Sequence, residues 1–368
     1  MNRAARILLC SALASCASPP PDAPPSSIAA LGQKQIVPTV KHVSNAAGID
    51  CQPIDTTPIQ WNGGPVVHGT LNVYLLFYGL QWTQNEQQIM GSLIQSLGGS
   101  PYYSINTGYY DSSGNVANSV HLAGAVYLNN LYSGNTISDG DVWGFIENQF
   151  IFNEFPTDPN GLYLVLGDSQ TIESSGLCTS YCGWHNHGSY NGVDIKYGFV
   201  GNPAACSNQL CYCVNKTSSP NNDPGIDGMA SIAVHEVEET HTDPDLNAWY
   251  ASDGAENADH CQWTYGSYQT ASNGSYYNVT LGSSQYLIQQ NWLPTGGCAL
   301  SCTGANHTLC NGVCTDLTTR ANCGACGNDC TQYGAAFQCL NGTCSCGPGM
   351  QVCCGGDVCA KTCPRTCP

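Results

Sequence analysis

Basic residues are scarce in this chain. Nine Lys plus Arg stand against 26 Asp plus Glu, a net charge of −17. A nucleic-acid binder needs a basic surface that displaces counterions, so the composition argues against nucleic acid as a partner. Adsorption to anionic lipid is disfavoured for the same reason. Charge of either sign is sparse, at 10% of residues. Long apolar runs are missing as well. No segment approaches the roughly 18 apolar residues that a membrane-spanning helix requires. There is no Gly-x-Ser-x-Gly elbow and no phosphate loop, so serine-hydrolase and nucleotide-binding chemistry have no support.

Cysteine, in contrast, is abundant, with 24 in 368 residues. That density is rare in reducing cytosol and normal in an oxidising compartment. The N-terminus agrees. Arg3 and Arg6 precede a short apolar stretch, Ile7 to Ala14, as in a bacterial export signal covering residues 1–15. The stretch runs into Leu13-Ala14-Ser15-Cys16, which is similar to a lipoprotein cleavage signal. Cys16 is then the expected lipid-bearing first residue, and the membrane is reached only through that anchor. The expected location is extracytoplasmic: an outer-membrane lipoprotein, the cell surface, or the medium. With Cys10 and Cys16 set aside, eight cysteines fall between Cys51 and Cys298 and fourteen between Cys302 and Cys367. Both counts are even, as pairing within each region requires.

Pro19, Pro20, Pro21, Pro24 and Pro25 mark a stiff tether, taken as residues 16–50. A core of residues 51–300 follows, long enough for one sizeable hydrophobic interior. A Cys-rich module of residues 301–368 has too little apolar content to hold itself together without cross-links. Within the core, Leu71–Tyr78 (LNVYLLFY) reads as a buried strand. Glu86–Leu97 places Ile89, Met90, Leu93, Ile94 and Leu97 on one helix face. Leu122–Leu128 is a further strand. Ser138 or Asp139 can cap a helix with Val142, Phe145, Ile146 and Phe150 along one side. Leu162–Leu166 and Ile195–Val200 are strands, and Asp227 can cap a helix from Gly228 to about His241. The order β-α-β-α-β-β-α predicts an α/β fold: a central mixed sheet with packed helices, open to a zincin-like arrangement, plus the small disulfide-rich C-terminal module.

Three segments, GGPVVHGTLNVYLLFYG (63–79), GLCTSYCG (176–183) and GIDGM (225–229), occur in an order and spacing that resembles the phosphate-induced protein 1, or EXORDIUM-like, family. The resemblance covers roughly residues 60–298. It implies an extracellular protein with no established enzyme activity. Cys178, Cys182, Cys206, Cys211, Cys261 and Cys298 match positions where the family carries cysteine. Cys51 and Cys213 are additional, and pairing with each other is open to them. The segment CNGVCTDLTTRANCGACGNDC (310–330) is similar to Cys-rich repeats of myxobacterial surface proteins, and Cys344–Cys367 reads as a degenerate second copy. Cys323 and Cys326 have the spacing of half a zinc knuckle, but disulfides are the simpler use of so many cysteines.

The sharpest chemical feature is VHEVEETHTDP, residues 234–244. On a helix His235 and Glu239, four residues apart, project from one face and can offer two ligands to one zinc ion. Glu236 follows the first ligand, the place of the general base in His-Glu-x-x-His peptidases. Here Glu239 replaces the second histidine. Bacterial and fungal relatives in the family are similar in carrying His-Glu-x-x-Glu followed by Thr-Asp-Pro, which the plant members lack, so the resemblance implies a metal site in one branch only. A third ligand is expected in GAENADHC (254–261), with Glu256 or Asp259 favoured over His260 and His241. One His with two carboxylates gives a less positive zinc site than two His with one Glu. That predicts either a weak, alkaline-shifted hydrolase or a structural ion, and it admits Ca²⁺ or Mn²⁺.

The alternative for this segment is a solvated acidic helix face. His185 and His187 (CGWHNH), one residue apart, can chelate but more often serve as loop polar groups. Trp249, Tyr250, Trp263 and Tyr265 can stack on sugar rings or pack a core. The functional expectations are therefore a secreted zinc-dependent hydrolase of the peptidase type with Glu236 as base, a non-catalytic binder of cell-wall or matrix carbohydrate, or a structural surface lipoprotein whose Cys-rich tail is the active element, with an extracellular protein or polysaccharide as partner.

Overall fold

The computed structural model describes residues 34–40, 50–129, 133–304, 306–354 and 358–363. Six strands make the central sheet: β1 (Gln35–Pro38), β2 (Leu71–Tyr78), β3 (Val120–Leu128), β4 (Gly161–Gly167), β5 (Tyr181–Tyr190) and β6 (Val193–Val200). Their spatial order is β1-β5-β6-β4-β2-β3. The strands β6, β4, β2 and β3 run parallel, whereas β5 is antiparallel to both β6 and β1, so the sheet is mixed. The continuous apolar run of β2 fits its place between two parallel neighbours, where both faces are covered.

Helix α1 (Gln84–Leu97) opens with a capping box between Thr83 and Glu86 and buries the five predicted apolar residues. Helix α2 (Asp139–Ile151) is capped by Ser138, with Asp141 completing the box. Helix α3 (Pro224–Thr242) starts earlier than the sequence suggested. Asp223, not Asp227, is its cap, and Pro224 fills the first helical position, where no backbone N–H is needed. Asp227 lies inside the first turn and instead accepts from the backbone N–H and side-chain amide of Asn221, at 2.8 and 2.6 Å.

Two adjacent residues of β5 fix which face each helix covers. Gly183 faces α3 so closely that a Cβ there would meet Ile232 and Glu236. Trp184 points the other way, edge-on to Tyr197, which in turn meets Trp143 of α2. Neighbouring strand residues project to opposite faces, so α2 and α3 sandwich the sheet. Nearly all of α3 is buried, its polar second half included.

All eight core cysteines are paired: Cys51–Cys213, Cys178–Cys206, Cys182–Cys211 and Cys261–Cys298. The Cys-rich region forms short hairpins, His307–Cys310 with Val313–Asp316, Phe337–Leu340 with Thr343–Cys346, and Gln351–Cys353 with Val358–Ala360. Its local interior is Phe337 surrounded by half-cystines, as a region poor in apolar side chains requires. It is fastened to the core where the Cys314 N–H donates to Thr107 Oγ1 at 2.7 Å and where Cys302 and Cys314 pack with Ile105 and Leu293. No helix among the described residues is long and apolar enough to cross a membrane. Cys16 and most of the expected tether lie outside the described residues, but Gln35–Pro38 of that tether belongs to the sheet.

Candidate metal centre

The second half of α3 is not a solvated acidic face. Glu236 and Glu239 are 0% exposed, and Glu238 and His235 are 1% exposed. Burying this many charged groups is costly unless each finds a partner. Glu238 turns to one side and accepts from Tyr102 Oη at 3.1 Å. His235, Glu236 and Glu239 turn toward β5 and the loop ending at Cys261.

Helical spacing brings His235 Nε2 to 2.9 Å from Glu239 Oε1. Asp259 arrives from a short 3₁₀ turn (Asp259–Cys261), pinned by the Cys261–Cys298 disulfide, with Oδ1 3.4 Å from His235 Nε2. The Asp259 N–H donates to Glu239 Oε1 at 3.1 Å, and the Glu256 N–H donates to Asp259 Oδ2 at 3.1 Å. On the other side His185 of β5 enters. Its Nδ1 lies 3.0 Å from Glu236 Oε2 and 3.6 Å from Glu239 Oε2, and its Nε2 lies 3.6 Å from Glu256 Oε2. Two groups thus share Glu239: His235 with Asp259, and His185 with Glu236.

The spacing has a chemical meaning. Ligand atoms about 2.1 Å from one tetrahedral ion stand about 3.4 Å from each other. The side-chain separations here straddle that value. His235 Nε2, His185 Nε2, Glu236 Oε1, Glu239 Oε2, Asp259 Oδ1 and both Glu256 carboxylate oxygens find no well-aligned hydrogen-bond partner among the described residues. Within this cluster the atoms of His235, Glu239 and Asp259, and those of His185, Glu236 and Glu239, each lie close enough together to hold a cation. The donor set of imidazole and carboxylate suits a divalent ion.

The electrostatics point the same way. Burial pushes the Glu256 carboxyl well above its ordinary range, and the charges of Asp243, Glu239, Asp259 and Glu236 push it further. Burial also raises Glu236, opposed by His235. Glu239 is pushed up to about 7 by burial and by Asp259, again opposed by His235. Burial disfavours a charged His235, but Glu239 and Asp259 outweigh it and hold the imidazole well above its usual value. His185 is pushed down to about 3, by burial first and then by His235. These are the directions expected of a carboxylate cluster short of positive charge.

The sequence-derived candidates His235, Glu236, Glu239, Glu256 and Asp259 all meet here. His185 was expected to be a loop residue. It sits instead on a strand, where it and Gly183, two residues apart, share the face toward α3. His187 continues that spacing but bonds Asp194 at 2.8 Å, and Asp194 also holds Lys196 at 2.7 Å, so that group already has its cation. His241 accepts or donates at Tyr103 Oη, 2.7 Å away, and His260 meets the Asp55 carbonyl at 3.1 Å; neither joins the cluster. Cys323 and Cys326 are held in disulfides to Cys339 and Cys310, which leaves no zinc knuckle in this oxidised form. Trp263 and Tyr265 are core residues, Trp263 donating to the Pro38 carbonyl at 2.8 Å.

Residues 59–298 match the phosphate-induced protein 1 conserved region. The chain belongs to that family. It is similar to Protein EXORDIUM-like 3 of Arabidopsis thaliana, 29% identical over 289 residues, covering 67% of this chain and 83% of the relative. It is also similar to Protein EXORDIUM-like 5 of the same plant, 26% identical over 291 residues, covering 67% and 78%. No solved structure matches the chain. The family region contains the whole cluster and all core disulfides except Cys51–Cys213, and it leaves out β1 and the Cys-rich region.

Proposed function

We propose that this is a non-catalytic extracytoplasmic protein of the EXORDIUM-like type, which binds cell-wall or matrix polysaccharide and carries a structural divalent cation, zinc by preference. His235, Glu239 and Asp259 are the ligands, with Glu256 and the His185–Glu236 pair closing the other side. The observation that carries this reading is enclosure. Asp259, at 8%, is the most exposed of the six residues. A catalytic ion needs an open coordination position that substrate can reach, whereas a structural ion is closed off by protein.

A second observation supports a polysaccharide partner. Tyr110 and Trp61 are exposed yet held in place. The Trp61 indole N–H donates to the Gly64 carbonyl at 2.7 Å, and the Tyr110 ring stands 6.3 Å from Trp61 and 5.1 Å from Trp249. Tyr110 and Trp249 border a cleft of about 360 Å³ that also has Asn115, His307 and Asp316 on its walls. Trp249 is buried and backs the exposed Tyr110 ring, and that one aromatic face beside amide and carboxylate groups suits a neutral sugar, whose rings have one apolar face and a hydroxyl rim. Export, with Cys16 as a lipid anchor, completes the proposal; a Cys16→Ser chain then accumulates as an unprocessed precursor.

The hydrolase reading keeps one point in its favour: Glu236 Oε1 is buried with no hydrogen-bond partner among the described residues. In that reading the arrangement is zincin-like and Glu236 is the base. The deciding experiment is metal analysis of the gently purified chain, together with sedimentation on insoluble cell-wall polysaccharide. Stoichiometric metal, polysaccharide binding lost in Tyr110→Ala, and no peptide hydrolysis support the proposal. Hydrolysis abolished by Glu236→Gln with metal retained overturns it.

A further inference from the structure

The strand β1 lies before the family region, which begins at residue 59. Within residues 59–298 alone, β5 is therefore the last strand of the sheet on that side. A bare edge of this kind offers a row of unpaired backbone groups, ready to pair with any extended chain. This chain fills the edge itself. Gln35, Ile36 and Val37 pair antiparallel with His185, Trp184 and Gly183. The ladder shifts at Pro38, which has no N–H to give. Two more bonds follow, from the Thr39 N–H to the Ser180 carbonyl at 3.2 Å and from the Val40 N–H to the Leu210 carbonyl at 2.8 Å.

The occupant has two faces with different tasks. Residues directly opposite on paired strands share a face. Gln35 and Val37, opposite His185 and Gly183, therefore lie on the α3 side. Val37 is fully buried there. The Gln35 side-chain amide donates to the Gly254 carbonyl at 3.0 Å, in the loop that leads to Glu256 and Asp259. So β1 ties together the strand that carries His185 and the loop that carries the two acids. On the opposite face the Lys34 ammonium bonds Asp139 at 2.9 Å and Tyr181 Oη at 3.2 Å, and sits over the rings of Tyr181 and Trp184. Beyond β1 the chain is clamped again by the Cys51–Cys213 disulfide.

We propose that the outer edge of β5 is an acceptor site for an extended peptide, and that Gln35–Pro38 is the occupant the chain supplies to itself. The site selects a short peptide with a β-branched residue opposite Gly183 and, three residues earlier on the other face, a cation against Asp139. Four paired residues make a weak complex on their own. Tethering raises the local concentration of the internal strand to the millimolar range, so it excludes outside peptides while the chain is intact. Release of the strand bares the β5 edge next to His185. The inference rests on the β1–β5 ladder and not on the cation.

The test uses the full chain with a specific protease site introduced between residues 41 and 49. The probe is a fluorescent peptide of sequence Lys34–Val40, read by anisotropy. After cleavage the peptide binds saturably, while the uncleaved chain binds at least tenfold more weakly. A peptide carrying Val37→Asp loses at least tenfold in affinity to the cleaved protein, and the Asp139→Asn protein binds the parent peptide more weakly. Cleaved protein that takes up no peptide, or that binds the Val37→Asp peptide equally well, overturns the proposal. Metal content is measured on the same samples, so a chain without metal that still exchanges the peptide overturns only the cation reading.

Discussion

His185 Nδ1 lies 3.0 Å from Glu236 Oε2, although 51 positions separate the two residues in sequence, and both are fully buried. The contact joins a strand to the helix packed across it. The other ring nitrogen of His185 faces Glu256, so one imidazole stands between two buried carboxyl groups.

Removal of that imidazole should therefore be costly. His185→Ala leaves Glu236 and Glu256 buried with no base between them. With the imidazole neutral and the carboxyls raised, the loss is that of a buried hydrogen bond, and leaving its partner unsatisfied costs about 1–3 kcal/mol. His185→Gln keeps a donor of similar reach and is expected to cost clearly less. Urea unfolding of the three proteins at neutral pH checks this. Equal midpoints for wild type and His185→Ala would show that the histidine holds nothing together.

The cap of α2 makes a pH-dependent prediction away from the cluster. Asp141 accepts from the backbone N–H of Ser138 at 2.8 Å and from the hydroxyls of Ser138 and Ser133. Burial works to raise its pKa, but these hydrogen bonds outweigh it and hold the carboxyl below its ordinary value of 3.8. An acid depressed in the folded state contributes stability above its unfolded pKa and loses it as pH falls through the folded one. Asp141→Asn should cost about 1 kcal/mol at pH 7. The difference from wild type should shrink once the pH drops below 3.8 and vanish under the folded pKa. A difference that stays constant down to pH 2 contradicts a role for the ionised carboxylate.

Much of the fold was legible because its elements follow simple periods. The unbroken apolar run of β2 and the 3.6-residue spacing of α1 and α2 need no tertiary knowledge. The strand β5, with sequence YCGWHNHGSY, was not legible. Its burial is imposed by α3 on one face and α2 on the other, not by its own hydrophobicity. The four residues of β1 were hidden in a Pro-rich stretch, because a strand that short exists only by pairing. The ligand spacing of His235 and Glu239 could be read from one helix. His185 could not, since only the sheet register carries it to Glu236. Its one local signal was the alternation Gly183, His185, His187, which puts all three on one strand face.

Reduction should dismantle the Cys-rich region before the core. Cys326 and Cys363 are exposed, whereas Cys182, Cys211 and Cys261 are at most 1% exposed. The tail has Phe337 and half-cystines for an interior, so the cross-links supply its order. Mild reductant followed by limited proteolysis should release fragments from residues 302–363 while residues 59–298 stay intact. Simultaneous digestion of both regions contradicts this.

The cluster itself should separate ligand from supporting roles. His235→Ala and Asp259→Asn each remove a donor from the group around Glu239, so both should lower bound divalent metal at least tenfold. Glu239→Ala should do the most damage, because its two oxygens face His235 on one side and His185 on the other. Glu236→Gln keeps the shape and a hydrogen bond to His185, so metal should stay. In wild type a chelator should lower the midpoint of thermal unfolding, since an ion bound only by the folded chain stabilises it by mass action. The shift should be absent in His235→Ala. Metal content by plasma mass spectrometry and melting curves with and without chelator measure both effects. Wild-type protein that carries no divalent metal and melts identically in chelator removes the structural ion, and with it the reason for so many buried carboxylates on one helix.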